Sequence, residues 1–254
     1  RGVEVSLVGF RSEYQFDDQI QYVDYSTRDL QDALTPQQVL HILKGGHERF
    51  RSGRRLTRDL IRQARATAEG QHPLAVVLSC IDSRTPAELI FDLGMGDIFS
   101  VRIAGNVTSW KVLASAEYGC AVAGAKLILV MGHTRCGAVT AAVNLIGEVR
   151  TAAEATGCQH LDHILKDIQQ STDPATCRAV EARPAAEKQS FVDAVARRNV
   201  LRVVERMRQE SQTLDGLVRE GRIVIVGAMY DVVTGEIEFL AEDEMNHRMP
   251  TEPV

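Results

Sequence analysis

The sequence contains no apolar run that approaches the roughly eighteen residues a membrane-spanning helix needs. Aromatic residues are scarce, at 5% of the 254 positions. Charge of one sign is not concentrated either, because 29 basic and 34 acidic residues are spread without long single-sign blocks and give a net charge of -5. These absences argue against a membrane span and against a surface for nucleic acid or anionic lipid.

Cysteine is present five times, an odd number whose spacing does not suggest the disulfide framework of a secreted domain. We therefore expect a cytoplasmic chain, or a cytoplasmic domain of a membrane protein, in which thiols serve as metal ligands or core residues. The chain begins with Arg1 rather than Met, which favours a processed product or a fragment. We assign residues 1–34 to a strand and linker that could end a preceding domain, residues 35–241 to the main domain and residues 242–254 to a tail.

Short apolar runs predict a mainly parallel β-sheet. Four runs have the length and β-branched content of strands buried on both faces: 73–80, 97–102, 126–132 and 222–231. Helical patterns separate them, near 85–93, 109–124, 136–147, 159–171 and 187–220. This alternation indicates an α/β fold with a mainly parallel central sheet flanked by helices. In such sheets ligands bind at the carboxyl ends of the strands.

An amino-terminal helix is predicted to begin at Thr35. Thr35 is a good N-cap, Pro36 suits the first turn, and Gln38 can close a capping box. The pair Gly45 and Gly46 predicts the end of this helix.

The same helix carries an apolar stripe that needs a surface to pack against, formed by Val39, Ile42 and Leu43. It is therefore expected to be a dimerisation arm. Arg51 to Arg65 contains six arginines and one acid, and we interpret it as a helix face that contacts a partner subunit. Binding to nucleic acid is disfavoured because the segment lacks aromatic residues.

Two predicted strands end in side chains that can bind metal. Cys80 closes the first strand, and the third is followed by His133 and Cys136, whose spacing lets both reach one ion. If these strands are close, the three residues form a two-sulfur, one-nitrogen site that suits zinc and leaves a fourth position for chemistry. The alternative is that Cys80 is a small core residue and the His-x-x-Cys spacing has no function, since free cysteines are often buried and inert.

The segments Cys80-x-Asp82-x-Arg84 and His133-x-x-Cys136 resemble the two signature motifs of the β-class carbonic anhydrases. The likeness runs from about residue 35 to about residue 240. It includes the Arg-x-Ala-Gly-Asn segment at 102–106, the Glu-Tyr pair at 117–118, the closing hairpin at 230–235 and an amino-terminal helix at 43–50, in which His47 stands where Asn is usual.

The resemblance implies a zinc enzyme that interconverts carbon dioxide and bicarbonate, with Cys80, His133 and Cys136 as metal ligands. It also implies homodimers, or dimers of dimers, built by swapped amino-terminal helices. The substrate pocket implied by the likeness is lined by Gln71, Phe99, Ala104 and Tyr118. Val77 stands where the subclass inhibited by bicarbonate at a second site carries Trp, which favours the always-open subclass.

The implied mechanism is zinc-hydroxide attack on carbon dioxide, which yields bicarbonate and a proton. Asp82 would accept a hydrogen bond from the hydroxide while Arg84 holds Asp82 in a charge-assisted pair. If that pair breaks, Asp82 becomes a conditional fourth ligand and closes the site. Gln71 would hydrogen-bond the oxygen on which charge develops.

Two other functions stay open. The same site could hydrolyse an analogue of carbon dioxide such as carbon disulfide. The chain could also be a regulatory or bicarbonate-sensing module fused to a membrane anion transporter. Residues 1–10 resemble the last strand of the anti-sigma-factor-antagonist-like domain at the end of SulP anion transporters, some of which carry a carbonic anhydrase domain behind it.

The remaining cysteines and histidines carry weaker signals. Cys158, His160 and His163 could bind a second metal, with both histidines on one helix face, but a solvated face is favoured. Cys120 is predicted to lie in the core, and Cys177, in a polar loop, is predicted to be a free surface thiol.

Overall fold

The computed structural model describes residues 25–148 and 150–240, which form one five-stranded sheet with helices on both faces. The strands are β1 (Ala75–Ser79), β2 (Ile98–Arg102), β3 (Leu127–His133), β4 (Val224–Tyr230) and β5 (Ile237–Phe239). Their order is β2-β1-β3-β4-β5; the first four are mutually parallel, and β5 pairs antiparallel with β4. The predicted α/β fold is confirmed, and the four predicted strands match the observed ones to within two residues. The strand predicted at residues 1–10 and the tail from 242 lie outside the described residues.

The helices fill the connections between strands and the amino-terminal segment. They are α1 (Arg28–Ala33), α2 (Pro36–Arg51), α3 (Leu60–Ala66), α4 (Ala87–Ile90), α5 (Trp110–Glu117), α6 (Gly137–Glu148), α7 (Ala152–Thr156), α8 (Leu161–Gln169), α9 (Pro174–Glu181), α10 (Ala185–Glu210) and α11 (Gln212–Arg219). A 3-10 turn covers Ala104–Asn106 and a π-helical turn covers Tyr118–Val122. Within the described ranges, no helix is both long and apolar enough to cross a bilayer.

The helical pattern at 187–220 is two helices rather than one. Ser211 separates α10 from α11 because its extended backbone makes it the N-cap of α11, where its side chain accepts a hydrogen bond from the Leu214 N–H. Helices α1, α7 and α9 were not predicted, and α3 was predicted only as part of the arginine-rich segment.

Apolar side chains cover both faces of the sheet. Every residue of β1 and β3 is buried, as expected for central strands of a parallel sheet. One apolar cluster joins one face of the sheet to helices that include α5, α6 and α10, and a second joins the opposite face to α2 and α4. The two clusters hold the central strands, and so the residues at their ends, in fixed positions.

Helix α2 begins as predicted but does not end at its glycines. The capping box between Thr35 and Gln38 is present, and the helix continues through Gly45 and Gly46 to Arg51. A Cβ at Gly46 would lie 1.8 Å from the carbonyl oxygen of Phe91, so this glycine permits close contact with the segment after α4. The prediction of a glycine C-cap was therefore wrong, because close packing rather than chain termination requires the glycine.

The apolar stripe of α2 packs against the sheet of its own chain. Val39 and Leu43 are both fully buried, and Ile42 packs against the edge of the same cluster. The stripe thus has a partner surface within the chain and does not by itself require a second subunit. The role of this helix as a dimerisation arm stays a prediction.

The arginine-rich segment is only partly helical. The residues between Arg51 and Leu60 form a loop that is held by the buried carboxylate of Asp92. Asp92 accepts hydrogen bonds from the Leu56 N–H at 3.2 Å and from Nε of Arg49 at 2.5 Å. The prediction of a continuous helix face was therefore wrong for this loop, since its backbone turns inward to reach Asp92.

Candidate metal centre

The site forms where β1 and β3 end side by side. These strands are neighbours, with Ser79 of β1 paired with Met131 of β3, so Cys80 and His133 leave the same edge of the sheet. Cys136 follows in the turn that leads into α6. The ligand atoms of Cys80, His133 and Cys136 all lie within 4.8 Å of one another, and all three residues are buried. The structure thus brings together the three residues that the sequence singled out as metal ligands.

The donor atoms of this cluster fit a zinc ion. Nδ1 of His133 lies 2.9 Å from the carbonyl oxygen of Thr134, which can only accept, so Nδ1 carries the proton and Nε2 presents a lone pair. Nε2 is buried and has no hydrogen-bond partner among the described residues. The sulfurs of Cys80 and Cys136 are 4.0 Å apart, while two sulfurs bound tetrahedrally to zinc lie about 3.8 Å apart. An unpaired buried nitrogen beside two sulfurs at this separation is what a zinc ligand set requires.

The two thiols titrate as a pair. The hydrogen bond from the Cys136 thiol lowers the pKa of Cys80 to about 4. The same hydrogen bond, together with burial, raises the pKa of Cys136. Without a cation the pair therefore retains one proton, which an ion that binds both sulfurs would displace.

Asp82 and Arg84 form a charge-assisted pair beside the cluster. Nε of Arg84 donates to Oδ1 of Asp82 at 2.9 Å, and Nη2 donates to Oδ2 at 2.7 Å. These hydrogen bonds lower the pKa of Asp82 to about 2 and keep it ionised. Oδ2 of Asp82 also lies 3.9 Å from Nε2 of His133. The carboxylate is thus held by Arg84 and still lies next to the proposed ligands.

Backbone contacts fix the loop that follows β1. Arg102, at the end of β2, donates from Nε to the carbonyl oxygen of Cys80 at 3.0 Å and from Nη2 to that of Asp82 at 2.6 Å. The Gly105 N–H points at the sulfur of Cys80, 3.4 Å away. Gly105 has φ 67°, and a Cβ there would lie 2.5 Å from Cδ1 of Ile168, so any other residue at this position would be strained.

The four predicted pocket residues do not meet in one place within the chain. Ala104 lies in the turn next to Cys80, whereas Gln71, Phe99 and Tyr118 line a separate cavity of about 400 Å³. Phe99 pairs with Val76, which is four residues, or about 13 Å along the strand, before Cys80. Gln71 precedes β1 altogether. These three residues therefore lie toward the amino ends of the strands, and the metal ligands lie at the carboxyl ends.

Cys158, His160 and His163 do not form a second metal site in the part of the chain that the structure describes. Among the described residues, the cluster of Cys80, His133 and Cys136 is the one group of three or more close metal-binding side chains. Cys158, His160 and His163 are exposed, and His160 precedes the first residue of α8, so the two histidines do not share a helix face as predicted.

The two remaining cysteines are both buried. Cys120 lies in the core as predicted. Cys177 was wrongly predicted to be a surface thiol, since it is fully buried in α9, where its sulfur lies 3.4 Å from Oγ1 of Thr172.

Sequence reasoning gave no role to two polar residues of α10 that contact the backbone around the proposed metal ligands. Asp193 accepts a hydrogen bond from the Arg135 N–H, and Asn199 donates one to the carbonyl oxygen of Gly105. Asn199 could have been noticed as a polar residue in an otherwise apolar stripe that includes Val192, Val195, Ala196, Val200 and Val203. Asp193 has no comparable local signal.

Solved structures share this architecture. A tetrameric β-carbonic anhydrase of Sordaria macrospora superposes with a TM-score of 0.58 at 23% identity, over 69% of this chain and 84% of the fungal chain. A β-carbonic anhydrase of Aspergillus fumigatus gives a TM-score of 0.57 at 26% identity, over 73% of this chain and 85% of that one. The fold, with its cysteine and histidine cluster at the carboxyl edge of the sheet, thus defines an α/β protein of the β-carbonic anhydrase type.

Sequence relatives agree with the structural comparison. The family model described as carbonic anhydrase matches residues 75–237, more than half of the chain. Carbonic anhydrase 2 of Mycobacterium tuberculosis is 34% identical over 194 residues, covering 76% of this chain and 87% of that protein. A carbonic anhydrase of Mycolicibacterium smegmatis is 33% identical over 198 residues, covering 77% and 89%. The chain belongs to the carbonic anhydrase family, in its β class, and is an enzyme that acts on carbon dioxide.

Proposed function

We propose that Cys80, His133 and Cys136 hold one zinc ion per chain and that the enzyme uses it to convert carbon dioxide reversibly to bicarbonate and a proton. The observation that carries the proposal is the buried, unpaired Nε2 of His133, which faces two buried sulfurs. Zinc, when bound, would acidify a coordinated water and so make a nucleophile available near neutral pH. Because three protein ligands leave one coordination position open, the set suits a catalytic rather than a structural site.

Asp82 is proposed to orient the attacking oxygen. Its carboxylate is ionised, lies beside the ligand cluster and can only accept hydrogen bonds, so it fixes the direction of an O–H in the site. Arg84 holds the carboxylate through two parallel hydrogen bonds and also donates to the carbonyl oxygen of Arg135 at 3.3 Å. In this arrangement Asp82 is paired with Arg84, which supports the open form of the site.

The wall of the substrate pocket is proposed to come from a second copy of the chain. Gln71, Phe99 and Tyr118 lie too far from Cys80 to join it within one chain. Tyr118 is 56% exposed, and the neighbouring Val122 is 72% exposed. A homodimer that buries this apolar surface would let one subunit bring these residues to the cluster of the other, where Gln71 could donate to an oxygen that gains charge.

The zinc assignment is tested by Cys80→Ser, with Cys158→Ser as the matched control because Cys158 is exposed and lies outside the cluster. Elemental analysis should give one zinc per chain in the wild type and in the control. Cys80→Ser should lose stoichiometric zinc and carbon dioxide hydration, since a neutral hydroxyl cannot replace a thiolate ligand. Retained zinc in Cys80→Ser would contradict the assignment. Assaying carbon disulfide in parallel distinguishes the hydrolase alternative, which would use the same ligands.

The proposed role of the Asp82–Arg84 pair is tested by Arg84→Ala and Asp82→Asn. Both variants should retain zinc, because the three ligands remain, and both should lose most hydration activity. Arg84→Ala frees Asp82 to approach the metal position, and Asp82→Asn removes the charged acceptor. Near-wild-type turnover in either variant would rule out this role.

The cytoplasmic location of the chain and its fusion to an anion transporter also remain proposals. The five cysteines are unpaired, which supports the reducing environment of the cytoplasm. The suggested fusion behind an anion transporter depends on residues 1–10, which lie outside the described residues, and the complete gene sequence would test it.

A further inference from the structure

Helix α10 contacts the turn between His133 and Cys136 directly and reaches Cys80 indirectly, through Gly105. At 26 residues it is much longer than the other described helices, and it packs across β3 and β4. Its close approach is made possible by Gly132, the residue before His133, where a Cβ would lie 2.5 Å from Cγ2 of Val200. The helix therefore lies directly against the backbone of the strand that delivers His133.

The first polar contact supports the turn between His133 and Cys136. Oδ1 of Asp193 accepts a hydrogen bond from the Arg135 N–H at 2.7 Å. Arg135 has φ 55°, a left-handed conformation that non-glycine residues adopt rarely. Gln189, one turn earlier on α10, donates to the same carboxylate oxygen at 3.0 Å. Asp193 thus holds in place a strained residue that determines how His133 and Cys136 face each other.

The second polar contact supports Cys80 through Gly105. Nδ2 of Asn199 donates to the carbonyl oxygen of Gly105 at 2.9 Å, and the Gly105 N–H points at the Cys80 sulfur. Asn199 is fully buried, and its Oδ1 accepts from Oγ of Ser171 at 3.4 Å, which fixes the orientation of the amide. Oγ of Ser171 in turn accepts from Nε of Arg202 at 3.0 Å.

We infer that α10 is a positioning element of the metal centre, in which Asp193 and Asn199 set the geometry of the ligands without contacting metal or substrate. The two residues are six apart, about 9 Å along one rigid helix. Asp193 supports the turn between His133 and Cys136, and Asn199 supports Gly105, whose N–H contacts the Cys80 sulfur. The helix therefore fixes the distance between Cys80 and the His133–Cys136 turn. This inference rests on the proposed zinc site.

The test measures metal binding rather than turnover. Asp193→Ala removes the acceptor for the Arg135 N–H, whereas Asp193→Asn keeps a neutral acceptor of the same size. Asn199→Ala removes the donor to Gly105. Glu205→Ala is the matched control, because Glu205 lies exposed on the same helix and accepts from Gln209 of that helix. Zinc affinity is measured by competition with a chromophoric chelator, and the visible absorption of the cobalt-substituted proteins reports ligand geometry.

Asp193→Ala and Asn199→Ala should each lose about 10- to 100-fold in zinc affinity and shift the cobalt bands, as expected for residues that orient metal ligands. Asp193→Asn should recover most of the affinity, and Glu205→Ala should match the wild type. Because Asn199 is buried and its replacement could impair folding, the partly exposed Asp193 decides the outcome. Wild-type affinity and cobalt spectrum in Asp193→Ala would overturn the inference while leaving the zinc site intact. A wild-type protein that fails to bind either metal would overturn the proposed function, and this inference with it.

Discussion

The adjacent glycines of α2 provide a matched pair of substitutions with opposite expected effects. Gly45 and Gly46 both lie inside the helix, where alanine is favoured over glycine by about 0.5–1 kcal/mol. At Gly45 the nearest atom to an added Cβ is Nη1 of the flexible Arg49 side chain, 4.0 Å away. Gly45→Ala should therefore stabilise the protein by about 0.5–1 kcal/mol.

At Gly46 the added methyl group meets backbone atoms that cannot rotate away. The Cβ would lie 1.8 Å from the carbonyl oxygen of Phe91 and 2.8 Å from its carbonyl carbon. Helix α2 must move outward by more than an ångström to admit it, which also loosens the buried side chains of Val39 and Leu43. Overpacking of this kind costs about 1–3 kcal/mol, and because the shift is large we expect the upper part of that range. After the helix-propensity gain, Gly46→Ala should be destabilised by about 2 kcal/mol.

The two variants should thus differ by about 2.5–3 kcal/mol in the free energy of unfolding, which corresponds to roughly 5–12 °C in Tm. Urea denaturation and thermal melts at one fixed protein concentration measure this difference. Fixing the concentration matters because an oligomer's stability depends on it. If Gly46→Ala proved as stable as Gly45→Ala, the close contact between α2 and Phe91 could not be as tight as described.

Three further predictions concern other parts of the molecule. Burial lowers the pKa of His47 below 6.5, so the unfolded chain takes up this proton at a higher pH than the folded chain does, and the free energy of unfolding should fall as pH drops from 6.5. In urea denaturation His47→Asn should reduce that loss, and an unchanged dependence of the free energy of unfolding on pH would contradict the burial of a neutral ring. In the zinc-loaded protein Cys158 should react first with a thiol reagent because it is exposed, and fast labelling of the buried Cys177 detected by peptide mass spectrometry would refute its placement. Deletion of residues 1–50 removes all of α2 except Arg51 and uncovers the sheet face on which Leu43 packs, so the shortened chain should aggregate in size-exclusion chromatography. A stable active monomer would contradict this.

Much of the fold, and the meeting of Cys80, His133 and Cys136, could be predicted because the determining signals are local. Apolar runs of strand length show where the chain is buried, and the alternation with helices makes the sheet parallel. Since parallel strands end at one edge, residues that follow two strands are brought close whenever the strands are neighbours. Cys80 and His133 satisfy this condition because β1 pairs directly with β3.

The errors arose where one residue type serves two purposes, where a polar segment has a buried face, or where a contact joins distant parts of the chain. Glycine near a helix end commonly terminates it, but Gly46 is needed for contact with Phe91, which is 45 residues away in sequence. Asp173 and Pro174 are an N-cap and first-turn pair that starts α9, so the polar segment around Cys177 is a helix with a buried face rather than a loop. No sequence pattern could show that Asp193 reaches the Arg135 backbone, because that contact depends on how α10 lies across the sheet.

The contacts around the proposed metal ligands also bear on how metal binding would relate to folding. Arg102 donates to the carbonyl oxygen of Cys80 and the Gly105 N–H points at its sulfur, while the apolar clusters on both faces of the sheet consist mainly of aliphatic side chains that do not bind metal. Small domains that fold only with zinc lack such support, so their binding energy must also order the chain. In this enzyme Cys80 and Cys136 belong to a large apolar core, so an ion bound at the proposed site is expected to add stability through mass action to a chain that is already folded. The metal-free protein should therefore melt cooperatively at a lower temperature than the loaded enzyme, with its sheet and helices intact until that transition.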